Sequence, residues 1–404
     1  MLQKEAEPKP TKISFGWNSK LLPAFFINLV DVLGMTIIIP LLPFYAEKYG
    51  ASALEVGLLV SVFALCQLIG GPILGKLSDS MGRKPLLVIS QIGSLVGFLI
   101  LANASSLIWI FISRVIDGFT AGNISLVQAH ISDTTAPEER AQSFAMLGIA
   151  FGIGFFIGPA VSGFLSQYSY SYPIYVAAAL SAFSILLTLK FMPSQEKSAA
   201  HHDKPSPGLF DLDLYLKYFR QPVLANILVQ WLMYSLAFAV FTSGFALFAE
   251  RRFSTPGHHF GVKEVGYVLC YVGFLGIVLP PTLTGRLIHV LGDVKTVRLS
   301  LVCLTAGYGG LALVRNVFGL GFTQTAASFG GCMARPVLTS MITKNAPRTE
   351  QGAVLGISQS LMALAQIVGP VFSGLLIEHN LLSEWAILAG LLCIACLFLT
   401  LRPR

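Results

Sequence analysis

Asp31 stands in the middle of a long apolar run, Asn28-Leu29-Val30-Asp31-Val32-Leu33-Gly34-Met35. A carboxylate in such surroundings is expensive to keep ionised, and a cation nearby pulls the other way, so a group between those effects can take up and release a proton. One other carboxylate is well inside an apolar run: Asp117, in Ser113-Arg114-Val115-Ile116-Asp117-Gly118. The second half of the chain has none, since Glu250 and Glu378 fall at the ends of such runs. Asp31, Arg114 and Asp117 are therefore the candidate proton-handling set. Two structural alternatives stand beside it. Asp31 could make a static bond to Arg114 or to the backbone, and Asp117 could simply pair with Arg114 one helical turn away.

Neutral polar side chains recur at helical spacing elsewhere. Asn28 and Met35 flank Asp31; Ala121, Ser125 and Gln128 continue the face of Arg114 and Asp117. In the second half the stripes are Asn226, Gln230 and Tyr234; Gln324, Ser328, Cys332 and Arg335; and Gln359, Met362 and Gln366. With Phe245, Tyr267 and Tyr271 as aromatic walls, these faces could line a cavity for a mostly apolar ligand with a few polar handles. Each amide could equally serve helix packing. Arg335 could attract an anionic group, or snorkel to the nearer membrane face.

No nucleophile–base pair or metal set is evident, so an enzymatic role, a cofactor and a metal have no support. Gly70-Gly71-Pro72-Ile73-Leu74-Gly75-Lys76-Leu77 approaches a phosphate-binding loop, but Leu77 replaces its hydroxyl residue and no strand precedes it. His201-His202 and His258-His259 are adjacent pairs without clustered Cys or carboxylates. The six cysteines, Cys66, Cys270, Cys303, Cys332, Cys393 and Cys396, all sit in apolar runs and read as packing residues.

Apolar runs must position these groups. The chain is 54% hydrophobic and 12% charged, about half the charge of a soluble domain. The pattern is that of an all-α membrane protein with twelve spans: about 22–46, 56–76, 84–103, 107–131, 141–166 and 171–191, then 223–249, 263–284, 296–314, 317–341, 352–377 and 382–401. The expected organisation is a tail over 1–20, a six-helix bundle over 21–191, a linker over 192–222 with a short amphipathic helix from Asp211 to Arg220, and a second bundle over 223–401. Twenty of the 27 Lys and Arg fall on one side of this arrangement, five on the other, and Arg114 and Arg335 within spans. That bias places both termini in the cytoplasm. It also accounts for the net charge of +7 without nucleic acid. The opening 20 residues are polar and mixed in charge, unlike a signal peptide, which fits a bacterial inner membrane.

The halves echo one another. Gly75-Lys76-Leu77 with Gly82 recurs as Gly285-Arg286-Leu287 with Gly292, and Ala136-Pro137 recurs as Ala346-Pro347. Gly158-Pro159 with Ser162-Gly163 recurs as Gly369-Pro370 with Ser373-Gly374, and Glu55-Val56-Gly57 as Glu264-Val265-Gly266. In the second copy of the first element His289 replaces Asp79 and Asp293 replaces Arg83, so a charged gate should belong mainly to the first half.

Gly75 to Lys84 reads as a tight polar turn between spans, with Gly75 and Gly82 free to pack closely or take a positive φ. Its pattern resembles the loop signature of the major facilitator superfamily, G-x-L-x-D-x-x-G-R-K. Arg114 and Gly118 match that superfamily's R-x-x-x-G, and Gly154-x-x-x-Gly158-Pro159-x-x-Ser162-Gly163 resembles its antiporter signature, with Ser162 in place of one glycine. The resemblance implies two pseudo-symmetric six-helix bundles with a substrate site between them near the midplane. It implies that Asp79, Arg83 and Asp133, with Lys84, form a cytoplasmic gate, that Arg114 biases the proton site, and that Gly154, Gly158, Pro159 and Gly163 pack helices. Asp31-x-x-Gly34, Ile39-Pro40-Leu41-Leu42-Pro43, Ser132-Asp133, Glu138-Glu139-Arg140-Ala141 and Gly352 are similar to the drug:proton antiporter branch that includes the tetracycline exporters. The implied activity is proton-coupled efflux of a small amphipathic or hydrophobic compound by a monomer in a lipid bilayer. The alternatives are proton-coupled import, or uniport, of an organic anion through Arg114 and Arg335, and a non-transporting receptor or scaffold.

Overall fold

The computed structural model describes residues 22–135, 140–193, 212–347 and 350–401. The expected tail over 1–20, most of the linker, Ala136-Pro137, Glu138, Glu139 and the His201-His202 pair lie outside them, as do the side chains of Ser132, Arg140 and Ala141. Every named element is a helix. The first half contains α1 (Leu22–Lys48), α2 (Ala53–Met81), α3 (Arg83–Ala102), α4 (Leu107–Thr120), α5 (Asn123–Thr134), α6 (Arg140–Leu165) and α7 (Ser171–Phe191). A short α8 (Leu212–Phe219) leads to α9 (Pro222–Phe253), α10 (Val262–Leu279), a π-helical turn over Pro280–Thr284, α11 (Gly285–Gly310), α12 (Val317–Lys344), α13 (Gln351–Glu378) and α14 (Leu382–Leu401). Among the described residues, ten segments are long and apolar enough to cross a membrane. One of them, Val262–Gly310, is 49 residues long and holds two of the expected spans. Val317–Lys344 carries Arg335 and several polar side chains and is less apolar than the rest.

Prolines sit inside α1, α2, α6, α12 and α13. Neighbouring helices and hydroxyls can satisfy the backbone groups that proline frees. Thr36 joins two of these helices: its Oγ1 donates to the carbonyls of Val32 in its own helix and Gly154 in α6, at 2.9 Å each. Ser52 caps α2 in a reciprocal box with Glu55, and at α10 the Glu264 carboxylate accepts from the Gly261 N–H at 2.9 Å.

Two expectations about local structure need correction. The stretch from Gly75 to Lys84 is helical as far as Met81, and only Gly82 leaves the helix, at φ 94°. Gly75 is an ordinary helical residue with nothing within 4 Å of where a Cβ would stand. Its polar residues are the last turns of a helix that outruns its apolar stretch. The span over 107–131 is broken at Ala121-Gly122. Ser90 satisfies the break from α3: its hydroxyl donates to the Thr120 carbonyl and accepts from the Gly122 N–H. The face from Arg114 and Asp117 through Ala121 to Ser125 and Gln128 is therefore not continuous.

The sequence echoes have a structural counterpart. Gly292 interrupts α11 at φ 74°, ψ 168°, close to the φ 94°, ψ 154° of Gly82. The chain folds back there, because the Thr296 hydroxyl reaches the Leu287 carbonyl nine residues earlier at 3.3 Å. The other echoes meet crosswise. Gly57 of α2 lies against the backbone of Pro370 and Gly374 in α13, and Gly266 of α10 lies against Pro159 and Gly163 in α6. Each half thus docks its glycine on the Gly-Pro element of the other, and a Cβ at Gly57 or Gly266 would fall 2.3 or 2.5 Å from a proline carbonyl oxygen.

Candidate functional site

The crosswise contacts cluster toward one end of the helices, the end opposite Gly82 and Gly292. There the Glu378 carboxylate accepts from the Leu54 N–H at 2.9 Å, Ser61 donates to the Ile367 carbonyl at 2.7 Å, and Arg251 reaches Glu47 at 3.3 Å while also donating to the Ile377 carbonyl. Gly75 lies on the same face of α2 as Gly57, eighteen residues or about five turns away, and Gly352 and Gly356 lie correspondingly below Pro370 and Gly374. None of these three has a heavy atom within 4 Å of a Cβ position. The two halves touch at one end and diverge toward the end that carries Gly82, Arg83 and Lys84. A crevice between halves, open on that basic end, follows from the geometry.

Asp31 is held in the first half between α1, α3 and α7, where its carboxylate has Gln91 and Ser184 as polar neighbours. Gln91 donates through Nε2 to Ser184 Oγ at 2.7 Å. Asp31 Oδ2 and Gln91 Oε1 are both buried acceptors without a donor. Asn28, one turn earlier, is 1% exposed, and both its amide atoms are unpartnered. Arg114 does not pair with Asp31. Its Nη1 lies 3.3 Å from Asp117 Oδ2, both side chains being buried, and its guanidinium stands 5.9 Å from the Phe63 ring centre. Asp117 packs on α3 at Gly97, beside Ser94. The expected Asp31–Arg114 contact is therefore replaced by two separate sites, because Arg114 and Asp117 lie one turn apart on one helix face. Gln91 and Ser184 were missed in the sequence, where a Ser or Gln among apolar residues carries no distinguishing mark.

At the basic end Arg83 lies 2.7 Å from Asp79 and 2.9 Å from Asp133, and also donates to Ser78 Oγ. Lys84 instead reaches the Leu189 carbonyl at 2.8 Å. The second half has its own pair, contrary to the expectation of a gate mainly in the first: Lys344 lies 2.6 Å from Asp293. Asp293 occupies the position equivalent to Arg83, and Lys344 stands where the first half has Asp133, one residue further along. The pair is the same with its signs exchanged, a signal visible in the sequence only once both partners are compared.

The expected cavity residues divide. Gln230 is 2% exposed and turns toward Asn226, whose amide donates to the Leu399 carbonyl at 3.1 Å. It faces a small cleft inside the second half, between α9, α11 and α14, not the space between halves. Tyr234 is buried in the second bundle's core. Gln324 is 1% exposed with Nε2 unpartnered, and Ser328 Oγ is unpartnered on the same face. Arg335, Gln359, Ser125, Gln128 and Tyr267 are exposed, Met35 and Gln366 half-buried. Tyr271 joins Thr325 at 2.8 Å. In α6 the Gly154 and Gly158 positions are filled by Val32 and Thr36 of α1, and Pro159 and Gly163 meet α10. Of the loop histidines, His259 lies 3.5 Å from Glu250.

The paired bundles, the repeated glycine turns and the crevice between halves define a secondary-transporter fold. The Major Facilitator Superfamily model matches residues 24–324 and 255–404, and the chain belongs to that family, whose members are transporters and not enzymes. It is 29% identical over 370 residues to the class B tetracycline resistance protein of Escherichia coli, covering 90% of each chain. It is 27% identical over 384 residues to multidrug resistance protein 2 of Bacillus subtilis, covering 92% of each. The crystal structure of the human organic anion transporter MFSD10 superposes with a TM-score of 0.69 at 22% identity, covering 94% of this chain and 98% of that one.

Proposed function

We propose that this transporter expels a small amphipathic compound in exchange for protons, and that Asp31 is the proton carrier. The observation that carries the reading is the Asp31–Gln91–Ser184 cluster, in which two buried acceptors lack a donor. A proton on Asp31 supplies the missing donor, whereas an ionised Asp31 leaves a buried charge with no cation beside it. Loading and unloading that proton changes how tightly α1, α3 and α7 hold together, and α1 packs directly on α6 at Thr36. Through α6 the change reaches α10 of the other half at Gly163. The relatives named for tetracycline and multidrug resistance support export as the direction.

In this reading the basic end is cytoplasmic, the crevice is the inward-facing state, and Glu47, Arg251 and Glu378 tie the outer ends together. The Arg83 and Lys344 pairs brace the inner helix ends of each bundle. The test is proton movement in proteoliposomes loaded with a pH-sensitive dye, with gradients of a panel of lipophilic compounds imposed from outside. Opposed flows of compound and proton that Asp31→Asn abolishes are expected. Parallel flows of an anion and protons would instead establish import, and full coupled exchange in Asp31→Asn would remove Asp31 from the mechanism.

A further inference from the structure

We infer that the crevice holds a binding site for an organic anion, with Arg335 of α12 as its anchor; the inference rests on the reading of the crevice as the transport pathway. Arg335 is exposed, and no carboxylate among the described residues lies within ion-pair distance of it. The other arginine inside a span, Arg114, is buried and committed to Asp117. The second half has no carboxylate in the interior of a span that could serve as an alternative partner.

The direction of the side chain opposes the ordinary alternative of reaching back to the membrane surface. Arg335 is nine residues from the basic end of α12, about 13 Å along a helix. Long side chains on a helix lean toward its N-terminus, and α12 runs from Val317 to Lys344, so that direction is away from the basic end. The side chain therefore leans toward the midplane. Nor does it face lipid. Gln324, Ser328 and Arg335 share one face of α12, and on that face Gln324 Nε2 and Ser328 Oγ are buried polar atoms without partners. Between Ser328 and Arg335, Gly331 leaves open space, with nothing within 4 Å of a Cβ position.

The stripe thus offers an exposed cation and a notch at Gly331, with the Gln324 amide and the Ser328 hydroxyl buried behind them, and no acceptor charge. A planar guanidinium with free donors matches a carboxylate or sulfonate in bidentate geometry, and the notch admits the ligand's apolar body. Outward movement of such an anion is favoured by an inside-negative membrane potential, in the same sense as inward proton movement, so an anionic cargo is compatible with exchange.

The experiment uses two dyes that share a xanthene ring system and differ in charge, fluorescein (anionic) and rhodamine 123 (cationic). Their binding to the full chain in nanodiscs is read by fluorescence anisotropy, and their pH-driven uptake is read separately in proteoliposomes. The expected result is at least a tenfold preference for fluorescein in the wild type. Arg335→Gln should abolish the preference, and Arg335→Lys should keep part of it, with all three proteins eluting as monodisperse peaks. Equal binding of the two dyes, preference for rhodamine 123, binding of neither, or an unchanged preference in Arg335→Gln would overturn the proposal. The two readings fail separately. Proton-driven export without charge preference removes the anion site alone, and fluorescein-selective binding without proton coupling removes the antiport alone.

Discussion

The two halves share a backbone plan and differ in where they keep charge. Both turn on a glycine of positive φ at the basic end, and both dock a glycine on the partner's Gly-Pro element. In the first half the buried charges are two carboxylates and one arginine, which pairs with Asp117 and leaves Asp31 alone. In the second the span interiors carry neutral donors and an arginine with no acid. At the helix ends the ion pair survives with exchanged signs, Arg83–Asp133 against Asp293–Lys344. What a duplicated bundle must keep is close approach of backbone, which only a missing side chain permits. An exposed ion pair needs only opposite charges at a given separation, so either partner can carry either sign. Buried ionisable groups are costly, and each half keeps only those it can satisfy or use.

The comparison can be broken most forcefully at the buried pair of the first half. Asp117→Asn leaves the Arg114 charge buried without its counterion, and we expect it to lower stability by about 3–5 kcal/mol, read as a fall in melting temperature in detergent. Asp31→Asn should leave the melting temperature nearly unchanged while removing proton coupling. Comparable losses in both would show that Asp31 is also a structural partner.

A smaller effect separates the two ends of the interface between halves. Gly57→Val drives a side chain into the Pro370 carbonyl and should cost about 1–3 kcal/mol, while pushing the outer ends apart. Alkylation of single cysteines placed on the outer side, faster in the variant, would report that opening. Gly75→Ala, on the same helix face where the halves diverge, should be neutral or stabilising by up to about 1 kcal/mol. Destabilisation by Gly75→Ala would mean that the basic ends close on each other in the dominant state.

The exchanged ion pairs offer a sharper and weaker test. Reversing Asp293 or Lys344 alone should cost about 0.2–1 kcal/mol at these partly exposed sites, and the double reversal, Asp293→Lys with Lys344→Asp, should restore most of it. A double-mutant cycle on denaturation midpoints measures the coupling, and the same cycle on Arg83 and Asp133 should return a similar value.

The smallest effect expected is at Glu350, outside the spans. Lys217 at 2.6 Å and the Tyr218 hydroxyl at 2.8 Å hold its carboxyl below the usual 4.5. Burial first, and then the same carboxylate, push the Tyr218 hydroxyl up to about 12. A depressed carboxyl stabilises the fold above its unfolded pKa and loses that contribution as pH falls through its folded value. Amide exchange in α8 should therefore accelerate only as pH drops below the ordinary glutamate range, and Glu350→Gln should remove that dependence.

Much of the fold was legible without coordinates, because a span announces itself by length and composition and a duplication by its echoes. The cost of a carboxylate in an apolar run likewise singled out Asp31 from sequence alone. The break at Ala121-Gly122 was not legible. No proline marks it, and the Ser90 hydroxyl that satisfies it comes from another helix. Gln230 was misassigned because helical periodicity tells which residues share a face, not which neighbour that face meets.

By itself the sequence determined the helices, their paired arrangement and the identity of the buried charges, since these follow from local hydropathy, repeat spacing and the cost of removing a charge from water. Only the tertiary structure decided which buried groups meet. It gave Arg114 to Asp117 and not to Asp31, left Arg335 without an acid, and matched Gly57 with Pro370 and Gly266 with Pro159. Such pairings depend on helix rotation and on which end of the interface is closed, and the spacing of residues along one chain specifies neither.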